Sequence, residues 1–386
     1  MQPNRLQRGG RIDRTRPLTF SFDGEVCEGF AGDTLASALI ANGVSLVGRS
    51  FKLRRPRGIV GSGAEEPNAI MQVGRGADAQ PNLLATQVEL HEGLIAGTTK
   101  GWPGVRFDVG AINDVFGRML GAGFYYKTFM YPRSWWKLYE RLIRASAGFG
   151  RAPVAADPDS YEHMNAHCDV LVAGGGPAGL MAALAAARSG ARVILADEQN
   201  EFGGSLLACT ENIEGKPAAE WAASGVAELR GHADCTLLSR STVFGYHDHN
   251  FLTIAQRCTD DANVPGGAGG HSDGAATEHS RGDSARERLW RVRARQVVLA
   301  QGSFERPLVF CNNDRPGAML ASAVSTYVHR YGVLPGRRAV IFTNNDSAYR
   351  AAIDLADAGA SVAAIYASRP GGAGELGAQA RARKMT

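Results

Sequence analysis

The residues best placed to do chemistry lie between Cys168 and Ser205, in the stretch CDVLVAGGGPAGLMAALAAARSGARVILADEQNEFGGSL. Gly174, Gly176 and Gly179 satisfy the spacing G-x-G-x-x-G, and Asp197, followed by Glu198, stands 23 residues after Gly174. The chemistry is recognition of a dinucleotide. Gly174 permits a tight turn, Gly176 lets the backbone approach a pyrophosphate, and Gly179 lets a helix pack closely on a strand. The helix N-terminus offers free N–H groups and a positive dipole end to the phosphates. The acid closing the next strand accepts hydrogen bonds from a ribose diol.

A glycine triplet alone is a weak signal. Here it follows an apolar strand at 170–173 and opens an alanine-rich helix over about 178–189, with Gly190 just past its end. A second strand at 192–196 then runs into the acids. Asp197 and Glu198 would repel a 2′-phosphate, and no arginine follows directly, which disfavours NADP. NAD and FAD both carry a free ribose diol, so the fingerprint does not separate them. Gly203-Gly204 is typical of two-dinucleotide flavoproteins, and Ser205 offers a hydroxyl beside it.

The chain around this stretch has 386 residues, 44% hydrophobic and 21% charged, which suits two or three globular domains. A net charge of +4 is too mild to imply nucleic acid. Residues 1–60 nevertheless carry ten Lys+Arg against five Asp+Glu. The six cysteines form no C-x-x-C, so neither a zinc site nor a redox dithiol is indicated. They fit buried free thiols in a reducing cytosol, and the expected location is cytoplasmic. No apolar run reaches the roughly 18 residues of a membrane span, and the polar, arginine-rich N-terminus is not a secretory signal.

Residues 1–16 read as an arm, either disordered or docked on a partner. Leu18 to Phe22, the turn Asp23-Gly24 and Glu25 to Phe30 read as a hairpin, followed by a helix capped by Asp33 or Thr34. This is how a β-grasp domain begins. A further strand is expected over Leu84 to His91. The segment from Gly48 to Ile70 is basic, then glycine-rich, then acidic.

With FDGEVCEGFAGDTLASALIANG and VGRSFKLRRPRGIVGSGAEEPNA, the chain resembles the N-terminus of the alpha subunits of heterotetrameric sarcosine oxidases. GFYYKTFMYPRSWW, DPDSYEH and ERPLVFCNNDRPGAML extend the resemblance. It implies a β-grasp domain related to [2Fe–2S] ferredoxins, whose cluster-binding members carry several cysteines in this loop. Here no cysteine lies between Cys27 and Cys168, so no Fe–S cluster is expected. Arg49, Lys52, Arg54, Arg55 and Arg57 then meet phosphate, a partner's carboxylates, or only solvent. The aromatic-rich run 124–136 either packs on the nucleotide domain or forms a subunit interface.

Beyond Ser205 a helix at 217–230 and short strands at 236–239, 242–246, 251–257, 289–294 and 295–300 are expected. His247 and His249 flank a hairpin tip, and a metal there lacks a third ligand. Residues 259–288 read as a disordered insertion. Gln301-Gly302-Ser303 resembles the A-T-G element of two-dinucleotide flavoproteins, and 312–317 reads as a polar turn at the site edge. From Arg337 a second strand–helix–strand unit carries Asn344, Asn345, Asp346 and Ser347 where glycines would stand, and reads as binding no dinucleotide.

The expected fold class is thus α/β. A β-grasp domain without cluster cysteines (1–110) precedes a connecting segment (111–166), a dinucleotide-binding domain (167–335) and an incomplete second unit (336–386). In the resembled family the chain continues into a folate-binding half, so this sequence reads as an N-terminal portion. The resemblance implies NAD held by Gly174, Gly176, Ala178 and Gly179 at the pyrophosphate, Asp197 and Glu198 at the ribose, and Ser205 beside it. It also implies beta, gamma and delta partner subunits, with FAD and FMN elsewhere in the complex. The reaction that the resemblance implies is oxidation of sarcosine to glycine with peroxide formation, the one-carbon unit passing to tetrahydrofolate. The catalytic residues in this chain are unknown. The rival readings are an FAD-dependent opine or proline dehydrogenase component and a non-catalytic scaffold.

Overall fold

The N-terminal hairpin forms where alternation and turn chemistry place it. Asp13–Phe22 and Glu25–Ala31 pair antiparallel, and Asp23 and Gly24 take φ of 49° and 86°, the left-handed pair that a two-residue hairpin turn needs. The helix Leu35–Ala41 follows, with Thr34 rather than Asp33 as its N-cap and Ser37 closing a capping box. The strands assemble in the order 25–31, 13–22, 95–98, 70–73, 80–84, with 13–22 and 95–98 parallel. Phe20, Leu35, Leu39, Met71 and Leu94 fill the space between this mixed sheet and the helix.

The structure is a computed structural model that describes residues 2–117, 123, 131–157, 159–258, 285–369, 374–383 and 385. They form two compact units, Met1–Ala156 with Glu305–Thr386, and Asp157–Phe304. This division differs from the boundaries at 110, 166 and 335. Residues 305–335 contribute to the N-terminal core, where Leu320, Ala323, Tyr327, Tyr331 and Val333 are buried among the β-grasp residues.

Several expectations need correction in the first unit. Of the run Leu84 to His91 only Leu84, the last residue of the strand 80–84, is in a strand, because carbonyls beyond it serve the helix instead. Ala36 N donates to Ala85 O and Leu35 N to Val88 O, at 2.9 and 2.8 Å. The arm is docked on its own chain. Arg5 meets both oxygens of Asp33 at 3.1 and 2.6 Å and donates to Tyr331 O at 2.8 Å. The side chains of Arg5 and Asp33 are 6% and 0% exposed. Arg5→Ala would leave that carboxylate buried without its cation, so a loss of about 3 kcal/mol is expected. Urea denaturation measures it, and an unchanged midpoint would mean that the arm does not hold this contact in solution.

The basic loop is also largely absorbed within the unit. Arg49 donates to the carbonyls of Val105, Arg54 and Arg106, while Arg55 and Arg57 each reach Asp314 at 2.9 Å. The polar turn at 312–317 thus serves as the counterpart of these arginines. Residues 124–130 of the aromatic run lie outside the described residues. Of the remainder, Tyr131, Trp135 and Trp136 are more than half exposed.

In the second βαβ unit, Arg338–Thr343 and Ser361–Ala367 pair parallel, joined by the helix Ser347–Asp357. Asp346 sits at the N-cap, but its side chain does not cap; it pairs with Arg369. The Asn345 side chain accepts from Ser347 N at 3.0 Å instead.

The other unit holds a six-stranded sheet in the order 235–238, 193–196, 161–173, 287–299, 251–257, 241–247. The first four strands run parallel, and the last two return antiparallel as the expected meander. Two strands are longer than expected. Tyr161–Ala173 begins inside the segment read as a linker, and Glu287–Leu299 is continuous. Their outer halves form a polar ribbon in which Arg288 meets Glu162 at 2.7 Å. Polar side chains on a half-solvated pair hide a strand from an apolar-run reading. Most of the expected insertion, 259–284, lies outside the described residues. His247 and His249 stand at a hairpin tip, and no group of three or more metal-ligating residues occurs among the described residues.

The six thiols are free, but their environments differ from expectation. Cys27 and Cys168 are buried, Cys209, Cys235 and Cys258 half-buried, and Cys311 exposed. Burial, followed by the neighbouring Asp169 charge, pushes the Cys168 thiol up to about 11, so thiolate is scarce near neutral pH. A thiol reagent at neutral pH is therefore expected to modify Cys311 first and Cys168 only on unfolding. Peptide mapping of the labelled sites checks the order, and early labelling of Cys168 would contradict it. Among the described residues no helix is long and apolar enough to cross a membrane.

Candidate nucleotide site

The glycine turn connects the strand Tyr161–Ala173 to the helix Pro177–Arg188, with Gly176 at the N-cap and Pro177 in the first turn. Proline suits that position because its missing N–H has no intrahelical partner there. The turn is anchored on both sides. Gly174 N donates to Ala196 O, and Ala300 N donates to Ala173 O, each at 2.8 Å. Gly174 has φ 103°, and a Cβ there would lie 2.4 Å from Ala300 O. A Cβ on Gly179 would lie 1.8 Å from Gly174 O. These two glycines are required by the protein's own packing.

Gly176 differs. Its φ of −74° suits any residue, and the nearest atom to a built Cβ is Gly204 Cα at 4.0 Å. The absence of a side chain there leaves room beside the helix N-terminus. Ala178 and Ser205 are exposed, and no side chain caps the helix. Ser205 lies in the short 3-10 helix Gly204–Ala208. Gly203 N donates to Gly175 O at 2.8 Å, so the second glycine pair clasps the turn.

The two acids occupy different surroundings. Asp197 is 9% exposed, and its carboxylate accepts from Gly175 N at 2.5 Å and from Gln199 N at 2.8 Å. Its first structural task is to hold the glycine turn against the end of the second strand. Glu198, one position on, is half-buried. Asp197→Asn would set an amide donor against a backbone donor. A loss of about 2 kcal/mol is expected. Chemical denaturation measures it, and an unchanged midpoint would show that the carboxylate does not hold the turn.

Two further groups shape the site and were missed in the sequence. Phe202 is buried against the turn, and a Cβ on Gly175 would meet its ring at 2.4 Å. The middle one of three consecutive glycines, Gly175, was the available signal. Ser241, 1% exposed, donates its N–H to Asp197 O at 2.7 Å and helps fix the acid from the start of the strand 241–247. Gln301 and Gly302 are exposed just past the end of the strand 287–299.

Comparison with known proteins agrees with this layout. Residues 15–101 match the family described as 2Fe-2S iron-sulfur cluster binding domain, and residues 169–232 match FAD dependent oxidoreductase. The chain is 51% identical over 371 residues to the sarcosine oxidase subunit alpha of Rhizobium meliloti (strain 1021), covering 96% of this chain and 36% of that protein. It is 42% identical over 358 residues to the subunit alpha of Corynebacterium sp. (strain P-1), covering 92% of this chain and 31% of that one. The chain therefore spans about a third of the length of these relatives. The solved structure of L-proline dehydrogenase from P. horikoshii shares the fold at a TM-score of 0.58 and 19% identity, covering 95% of this chain and 55% of that one. Over the part of them that it spans, the chain is a homologue of the sarcosine oxidase alpha subunits.

Proposed function

We propose that this chain is the NAD-binding part of a sarcosine oxidase alpha subunit, working inside a complex with beta, gamma and delta subunits. The observation that carries the proposal is the glycine turn. Its outer glycines are demanded by packing, while Gly176 opens onto free space at an uncapped helix N-terminus. The amides of Ala178 and Gly179 would receive the pyrophosphate. Asp197 and Glu198, at the end of the second strand, would receive the adenosine ribose, with Ser205 alongside. Two adjacent acids oppose a 2′-phosphate, so NAD is preferred over NADP.

When bound, the dinucleotide supplies a hydride acceptor at its nicotinamide. This chain's residues supply binding and orientation, and we assign none of them to amine oxidation. That step belongs to the beta subunit in this reading, with sarcosine converted to glycine, peroxide released and the one-carbon unit passed to tetrahydrofolate. The setting is cytoplasmic.

A second reading is FAD in the same turn, favoured by the match of residues 169–232 to the FAD dependent oxidoreductase family. Heat release of ligand from purified protein, followed by absorbance and mass measurement, separates the two. NAD without yellow colour supports the proposal. FAD would replace it and make this chain a redox component. Protein that retains neither, even after incubation with each, would remove the dinucleotide reading.

A further inference from the structure

The N-terminal domain matches a family of cluster-binding domains, but its residues do not suit a cluster. A [2Fe–2S] cluster takes about four cysteine ligands. Residues 15–101 hold one cysteine, Cys27, and it lies 7% exposed in the core on the strand Glu25–Ala31. The glycine-rich loop is organised around a different group. Glu66, 3% exposed, accepts from Val60 N and Gly61 N on one carboxylate oxygen, both at 2.7 Å. Its other oxygen accepts from Asn68 N and Ala69 N at 2.7 and 2.9 Å. Glu65 accepts from Ser62 N and Gly63 N at 2.6 and 3.1 Å.

We infer that the Glu66 carboxylate, with Glu65 beside it, is the anionic centre of this loop and stands in for an inorganic cluster, making the domain a redox-silent mount. Backbone N–H groups converging on one point form a concavity that favours an anion. A buried carboxylate is tolerated only when hydrogen bonds saturate its lone pairs, and four amides do so here. The loop's carbonyls face the other way. Gly61 O accepts from the fully buried Tyr327 hydroxyl at 2.9 Å, Val60 O from Leu320 N at 2.9 Å, and Gly63 O from the Thr86 hydroxyl at 2.7 Å. The carboxylate thus shapes a loop whose outer surface holds the helix Ala321–His329 to the β-grasp sheet. The inference is independent of which nucleotide the other unit binds.

The test uses the whole chain. Glu66→Gln keeps the shape but turns an amide donor toward backbone donors, and its melting temperature is expected to fall by roughly 5 °C or more. Glu65→Gln, with two bonds at stake rather than four, is expected to shift it by less. Glu66→Asp keeps the charge on a shorter stem and is expected to fold and to melt between wild type and Glu66→Gln. If Glu66→Asp melts no higher than Glu66→Gln, or Glu66→Gln melts with wild type, the carboxylate is not the loop's centre and the inference is overturned. Anaerobic incubation of wild type with ferrous iron and sulfide, followed by desalting, is expected to leave no bound iron and no visible absorbance. Bound iron and sulfide at cluster stoichiometry would overturn the inference directly.

Discussion

Gly179→Ala is expected to abolish stable folding of the unit 157–304. The added methyl would stand 1.8 Å from Gly174 O, 2.9 Å from Gly174 C and 3.4 Å from a Val172 methyl. The closest of these atoms belong to the backbone, so no side-chain rotation relieves the clash. The helix cannot retreat either, because Leu180, Ala183, Leu184 and Ala187 pack its inner face into the sheet with Val172, Val193 and Leu195. Moving it outward would open that core and pull Gly174 away from Ala196 O and Ala300 N from Ala173 O. The cost is expected to exceed about 4 kcal/mol, a size reserved for overpacking against atoms that cannot yield. Urea denaturation followed by circular dichroism measures it, with limited proteolysis reporting where the chain opens. A variant melting with wild type would show that the helix and strand do not approach as closely as described.

The glycine turn was readable because every part of it obeys a local rule. Strand 193–196 is a continuous apolar run, the helix is alanine-rich, and the glycines keep a spacing with a mechanical reason. The hairpin at Asp23-Gly24 was readable for the same reason. What could not be read depends on partners distant in sequence. The strand from Tyr161 alternates polar residues, and only its pairing with 287–299 makes it a strand. Arg5 looks like an arm residue until Asp33 and Tyr331 are brought beside it. Asp197 was read as a ribose ligand from its position at a strand end. That its carboxylate also ties Gly175 N depends on how the turn folds back. Glu65 and Glu66 were legible only as the acidic end of a basic, then glycine-rich segment, because convergence of six amides on them has no sequence signature.

Gly176→Ala, only three residues from Gly179, is expected to do the opposite: spare the fold and remove the nucleotide. At φ −74° and ψ −171° an alanine is unstrained, and a methyl would find Gly204 Cα no closer than 4.0 Å. Restricting the unfolded chain adds roughly half a kcal/mol to stability. No atom of the described residues therefore requires glycine here. What requires it, in the proposed function, is a pyrophosphate lying against the backbone at the helix N-terminus. The methyl would hold the phosphates away from the Ala178 and Gly179 amides, and affinity for the bound dinucleotide is expected to fall at least about tenfold. Titration calorimetry with NAD, and separately with FAD, measures this beside a thermal melt. Weak binding with an unchanged melt means that the space beside Gly176 is the ligand's. Unchanged binding would move the ligand off this turn. A lowered melt would mean that the glycine serves packing after all, and the contrast between Gly176 and Gly179 would fail.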